Sequence, residues 1–238
     1  MKKLILVLIL VAAPALCQAA DETEPLDSVY INLHDKASLQ RGARLFVNYC
    51  LSCHSAGFMR YNRMGRDLGI SDDNLRNEMM FASDKPGDLM KVSMPEAQAK
   101  KWFGTAPPDL SLIARQRTPA WIYSYLRRFY VDPNSKTGWN NTLFHNVAMP
   151  DVLYELQGVQ RLSGHDKNGY PEFELEKPGT MKPKEYDQAI QDLTNFLVYL
   201  GEPAKLVRYK YGGLVLLFLV GLFALTVSLK KEYWRDVH

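Results

Sequence analysis

The chain has 238 residues and a formal charge of +3, but the excess of positive charge sits at its two ends. Without the two lysines of residues 1–19 and the net four positive charges of residues 205–238, the intervening 20–204 carries a charge of −3. A nucleic-acid partner is therefore excluded, and the partners expected of the body are cationic.

Met1-Lys2-Lys3, the apolar run Leu4 to Ala15 and the small residues up to Ala20 read as a signal peptide over 1–19. Cys17 falls within it and is lost with it. Next, Ser38 to Tyr49 reads as a helix, with Leu39, Leu45 and Phe46 on its apolar side and Gly42 as a flat spot for a close helix approach. It leads directly into Cys50-Leu51-Ser52-Cys53-His54.

Cys-x-x-Cys-His is the attachment pattern of a c-type haem. Two thiols about one helical turn apart reach two vinyl groups, and the adjacent His becomes an iron ligand. A structural zinc site needs a second pair of ligands, which the sequence does not offer. A thioredoxin-like dithiol belongs at a strand-to-helix turn, not at the end of a helix. A disulfide between positions this close constrains almost nothing. The motif occurs once, so one covalently attached haem c is expected. Export agrees with that chemistry, because this haem is attached outside the cytoplasm.

Farther along, Pro107-Pro108 marks a stiff loop, and Thr118 to Tyr130 reads as a helix with Pro119 in its first turn and Trp121, Tyr125 and Phe129 on one stripe. A sixth iron ligand would close the haem to exogenous molecules and make it an electron carrier. Ala148-Met149-Pro150 is the best-placed candidate, since Pro150 keeps position 149 extended; His145 is second, and His34, His165 and the other methionines are further alternatives. The stretches 60–105 and 150–180, with their Pro, Gly and Asp punctuation, read as loops.

Lys184 to Leu200 carries Tyr186, Ala189, Ile190, Leu193, Leu197 and Leu200 at helical spacing and stops at Gly201. Tyr211 to Leu229 is uncharged, long enough to span a bilayer, and flanked by Tyr209, Lys230-Lys231 and Trp234. The expected organisation is a signal peptide over 1–19, an exported haem domain over 20–205, a transmembrane helix over 206–229 and a cytoplasmic tail over 230–238. Its fold class is mainly α, a cytochrome c-like haem domain with long loop insertions and one C-terminal membrane helix. No acid–base pair, nucleophile arrangement or phosphate loop suggests catalysis by this chain alone.

These motifs in combination resemble the cytochrome c1 family, haem subunits of the bacterial quinol:cytochrome c oxidoreductase (cytochrome bc1 complex). The resemblance rests on Cys50 to His54 with Ser55, Ala106 to Ser111 ahead of Arg115 and Arg117, Ala148-Met149-Pro150 and the single anchor, nearly the whole exported chain. It implies His54 and Met149 as iron ligands, Pro107 to Arg117 as a haem wall with Pro108 against the haem and Arg117 meeting a propionate, and Tyr123 as an aromatic near the haem. It further implies electron passage from a Rieske iron-sulfur protein to a soluble or anchored cytochrome c, association with cytochrome b and the lipid bilayer, and a location in the inner membrane with the haem domain in the periplasm. Asp67, Asp72, Asp73, Glu78, Asp84, Asp88, Glu172, Glu174 and Glu176 are candidates for an acidic docking surface. The competing expectation is an anchored haem protein or oxidase subunit with an open iron site.

Overall fold

The computed structural model describes residues 24–92 and 94–236; the signal peptide over 1–19, with Cys17, lies outside them. Two long helices organise the body. Helix α1, Lys36–Leu45, is capped by Asp35, whose Oδ1 accepts the Ser38 amide at 3.0 Å, and it widens into a π-turn over Phe46–Cys50. Its buried face, Leu39, Ala43 and Phe46, lies across the helix Pro183–Gly201 close to the end of the body. At the crossing Gly42 has no side chain to hold the two backbones apart.

Between these helices the chain runs through strand β1 (Ala56–Arg60), helices α2 (Tyr61–Leu68) and α3 (Asp72–Glu78), strand β2 (Leu89–Met90) and helix α4 (Glu96–Phe103). After α5 (Ile113–Gln116) comes α6 (Pro119–Arg127), then β3 (Phe129–Val131), β4 (Trp139–Asn141), α7 (Tyr154–Gln157), β5 (Gly158–His165) and β6 (Pro171–Pro178). The Pro183–Gly201 helix is α8, and α9 spans Ala204–Tyr233. The strands pair as the antiparallel couples β1–β2, β3–β4 and β5–β6, and the fold is mainly α.

Three stretches differ from their sequence reading, the first being 60–105, expected as loop, which carries the helices α2, α3 and α4 and the strand β2. The helix expected to run to Tyr130 stops at Arg127 because side-chain amides take its last carbonyls. Asn141 Nδ2 donates to the Tyr125 carbonyl at 2.8 Å, and Gln157 and Gln160 both donate to that of Arg127 at 2.9 Å. With those acceptors occupied, the chain is released into β3 beside β5. The 158–178 stretch, expected as loop, is a hairpin closed by a turn over Asp166–Tyr170 with Gly169 at φ 82°. Its prolines stand at the first and last positions of β6, where a missing donor costs a sheet little.

Arg128 ties the N-terminal segment to this body. Its side chain is only 3% exposed and donates to Glu24 at 3.2 Å, to Asp27 at 2.9 Å and to the Pro25 carbonyl at 2.7 Å. Arg128→Ala is expected to cost about 2 kcal/mol, because it takes the buried guanidinium from two partly buried carboxylates and, among the described residues, leaves Asp27 only Arg127, at 3.3 Å, and Glu24 only His165, at 2.9 Å. Thermal unfolding checks this, together with faster proteolysis within residues 24–30.

Helix α9 is 30 residues long, about 45 Å at the α-helical rise, and from Leu214 to Leu229 its large apolar side chains are exposed. A helix bare of packing on every face is suited to lipid rather than to a protein core. It begins two residues before the expected boundary and continues beyond Leu229 through Lys230 and Lys231.

Candidate haem site

The π-turn that ends α1 sets the spacing of the Cys-x-x-Cys-His residues. The Leu51 amide donates to Phe46, and the amides of Cys53 and His54 both donate to the Cys50 carbonyl, at 3.0 and 2.8 Å. The chain thereby coils once and presents two thiols and an imidazole from a single turn. Cys50 is buried, Cys53 is partly exposed, and neither forms a disulfide among the described residues. Burial, with Cys53 adding to it, pushes the Cys50 thiol up to about 12. A reactive dithiol or a thiolate metal ligand has its thiol shifted the other way.

His54 Nδ1 lies 2.8 Å from the Pro108 carbonyl. A carbonyl can only accept, so the proton is on Nδ1 and Nε2 keeps a free lone pair. Burial lowers the His54 pKa more than the bond to Pro108 raises it, which favours the neutral ring that an iron ligand requires.

Pro108 is held in place by stitching that the sequence reading did not identify. Asp109 accepts the Gly57 amide through Oδ2 at 2.8 Å and the Ser111 amide through Oδ1 at 2.7 Å. Ser111 Oγ accepts the Phe58 amide at 3.0 Å, and the Leu110 amide donates to Ser55 at 2.8 Å. The Pro-Pro-Asp-Leu-Ser run is thus zipped onto the strand after the Cys-x-x-Cys-His turn. Beside Cys53 and Pro108 opens a cleft of about 360 Å³, walled also by Val92, Met94, Ala99 and Pro107.

Met149 is half-buried, in the bend that follows β4. Asn140 and Asn141 peg that loop: Asn140 Oδ1 accepts the Asn146 amide at 2.9 Å and Asn141 Oδ1 the Leu143 amide at 3.0 Å. Asn146 takes a left-handed φ of 58°, turning the chain towards Met149. The Tyr125 hydroxyl donates to Met149 Sδ at 3.6 Å. Burial pushes the Tyr125 phenol upward, and Asp151 adds to the shift, so it remains a hydroxyl donor at neutral pH. His145, the other ligand candidate of this loop, is exposed.

Arg117 joins the same constellation through aromatics. Its guanidinium lies 4.8 Å over the Trp121 ring, Trp121 stacks on Tyr125 at 4.8 Å, and Tyr125 reaches Met149. Arg117 is exposed and makes no ion pair among the described residues. Tyr123 does not join them. It lies two residues from Trp121, about 200° around the helix, where the Arg127 guanidinium covers its ring at 4.8 Å and Asp187 and Asp27 are its charged neighbours. The aromatic that meets Met149 is Tyr125, which the sequence shows only as part of an apolar stripe.

Two thiols presented from one turn, an imidazole with its proton fixed on the far nitrogen, and a thioether make a donor set that fits a covalent haem. The model of the Cytochrome C1 family matches residues 27–237. The chain belongs to the cytochrome c1 family. It is 49% identical to cytochrome c1 of Allochromatium vinosum over the full length of both chains. It is also 49% identical to a Nitrosomonas europaea protein named ammonia monooxygenase gamma subunit, over 98% of this chain and 97% of that one. Cytochrome c1 of Rhodospirillum rubrum is 30% identical over 86% of this chain and 83% of its own. Members of the cytochrome c1 family carry one covalent haem c and act as the membrane-anchored electron-transfer subunit of the bc1 complex, with no catalysis of their own.

Proposed function

We propose that this chain holds its haem by thioethers from Cys50 and Cys53, with His54 Nε2 and Met149 Sδ as the iron ligands. Bound haem supplies a one-electron ferric/ferrous couple. The observation that carries the reading is the 2.8 Å bond from His54 Nδ1 to Pro108, which fixes the tautomer and aims the remaining nitrogen from the same turn as both thiols. Pro108 forms part of the haem wall, and Arg117, exposed and without an acidic partner among the described residues, is available to a propionate. The exported domain covers 20–205, behind a signal peptide over 1–19, and 206–229 crosses the inner membrane with the haem domain in the periplasm and 230–238 in the cytoplasm. Electrons arrive singly from a Rieske iron-sulfur protein and leave to a periplasmic cytochrome c, while the anchor packs against cytochrome b.

Purification of the intact membrane complex in mild detergent tests this. Expected are co-elution with cytochrome b and a Rieske protein, and a haem-stained band at the mass of this chain after denaturation. That band should vanish in a Cys50→Ser, Cys53→Ser double variant. A chain that elutes alone, or stains equally without its thiols, would refute the reading.

A further inference from the structure

We propose that Tyr125 is a positioning residue that tunes the haem by donating a hydrogen bond to the sulfur of Met149. The inference rests on the reading of Met149 as the sixth ligand. A thioether sulfur has two lone pairs; a hydroxyl on one leaves the other for iron, and the 3.6 Å contact is within the range of an O–H···S bond.

The hydroxyl is placed rigidly. Trp121 lies against one face of the Tyr125 ring at 4.8 Å and 11°, and Phe129 meets it edge-on at 5.0 Å and 73°. The same residue also grips the ligand loop through its backbone, because its carbonyl accepts Asn141 Nδ2 at 2.8 Å. Asn141 in turn holds the Leu143 amide, six residues before Met149. Tyr125 therefore restrains Met149 from two directions, and a packing role alone would not require the hydroxyl.

The direction of its influence follows from charge. A donor on the sulfur draws electron density away from it and weakens it as a ligand. Ferric iron, with the higher charge, depends more on that density than ferrous iron does. The hydroxyl thus favours the ferrous form and raises the potential. A neutral hydrogen bond of ordinary net strength corresponds to roughly a threefold change in the ferrous-to-ferric ratio, about 30 mV for one electron.

Tyr125→Phe keeps the ring and its stacking partners. In the haem-loaded complex it is expected to remain six-coordinate and low-spin, with a midpoint lower by about 30 mV. Cyanide should displace the strengthened ligand several-fold more slowly from the ferric protein. An unchanged or raised midpoint, or faster cyanide binding as from a merely loosened loop, overturns the proposal. Met149→Ala, measured alongside, separates the two levels. If it leaves spectrum and midpoint unchanged, the ligand assignment fails and this proposal with it. If it opens the iron while Tyr125→Phe does nothing, the tuning role alone is overturned.

Discussion

Replacing Met149 with alanine is expected to open the iron while leaving the haem covalently attached. The substitution removes the only group that the Tyr125 hydroxyl meets in this loop, and alanine carries no donor atom to replace the sulfur. His145 is exposed, on a loop whose course Asn140 and Asn141 fix, so it cannot substitute without unpicking those bonds. The sixth position then falls to water or an added ligand. Carbon monoxide, slow or unreactive with the parent, should bind the ferrous variant rapidly, and the ferric spectrum should gain high-spin character. Loss of a thioether that favours ferrous iron should lower the midpoint by at least tenfold in the ferrous-to-ferric ratio, about 59 mV. Haem staining after denaturation should be undiminished, because Cys50 and Cys53 are untouched. An unchanged midpoint and spectrum would remove Met149 from the coordination sphere and revive the open-iron alternative.

How far this site was legible in the sequence depended on whether its chemistry is local. Cys50, Cys53 and His54 act within one turn, so their spacing alone points to haem attachment. Long amphipathic helices are similarly local: α1 and α8 fall within a few residues of their sequence readings. What the sequence hid is contact between segments. Tyr125 and Tyr123 are indistinguishable by type, and only the phase of α6 against the loop of residues 142–150 decides that Tyr125 reaches Met149 while Tyr123 turns to Arg127. The stop of α6 at Arg127 was equally hidden, because the groups that occupy its carbonyls come from Asn141, Gln157 and Gln160. Likewise the 158–178 hairpin has Gly, Pro and His at its borders, signals that mark loops when read alone but here mark the ends of strands.

Gly42 is the position where a sequence reading and the structure meet most closely, and Gly42→Ala is expected to be strongly destabilising. A Cβ there would sit 2.1 Å from the Asp192 carbonyl oxygen, 2.7 Å from its carbon and 2.8 Å from Phe196 Cβ. Two of those atoms are backbone, so no rotamer change relieves the clash and α1 must back away from α8. The separation would strain the bonds by which buried Asp192 is satisfied, from Ser38 Oγ and Arg41 Nε, each 2.6 Å, and would loosen Phe46 against Phe196. Overpacking and weakened bonds to a buried carboxylate together cost about 4 kcal/mol, against a gain of about 1 kcal/mol from alanine in a helix. A net loss of about 3 kcal/mol in a domain of this size lowers the thermal midpoint by about 6–12 °C, read from the visible circular dichroism of the haem. Gly164→Ala is the control, since a Cβ at that position meets nothing within 4 Å. An unchanged midpoint for Gly42→Ala would mean that the helices do not cross this closely. The functional consequence follows from chain order: the π-turn that carries Cys50 is the direct continuation of α1, so displacing α1 displaces the thiols and the imidazole together. Haem attachment should therefore fall along with stability in Gly42→Ala, although residue 42 lies two helical turns before the motif.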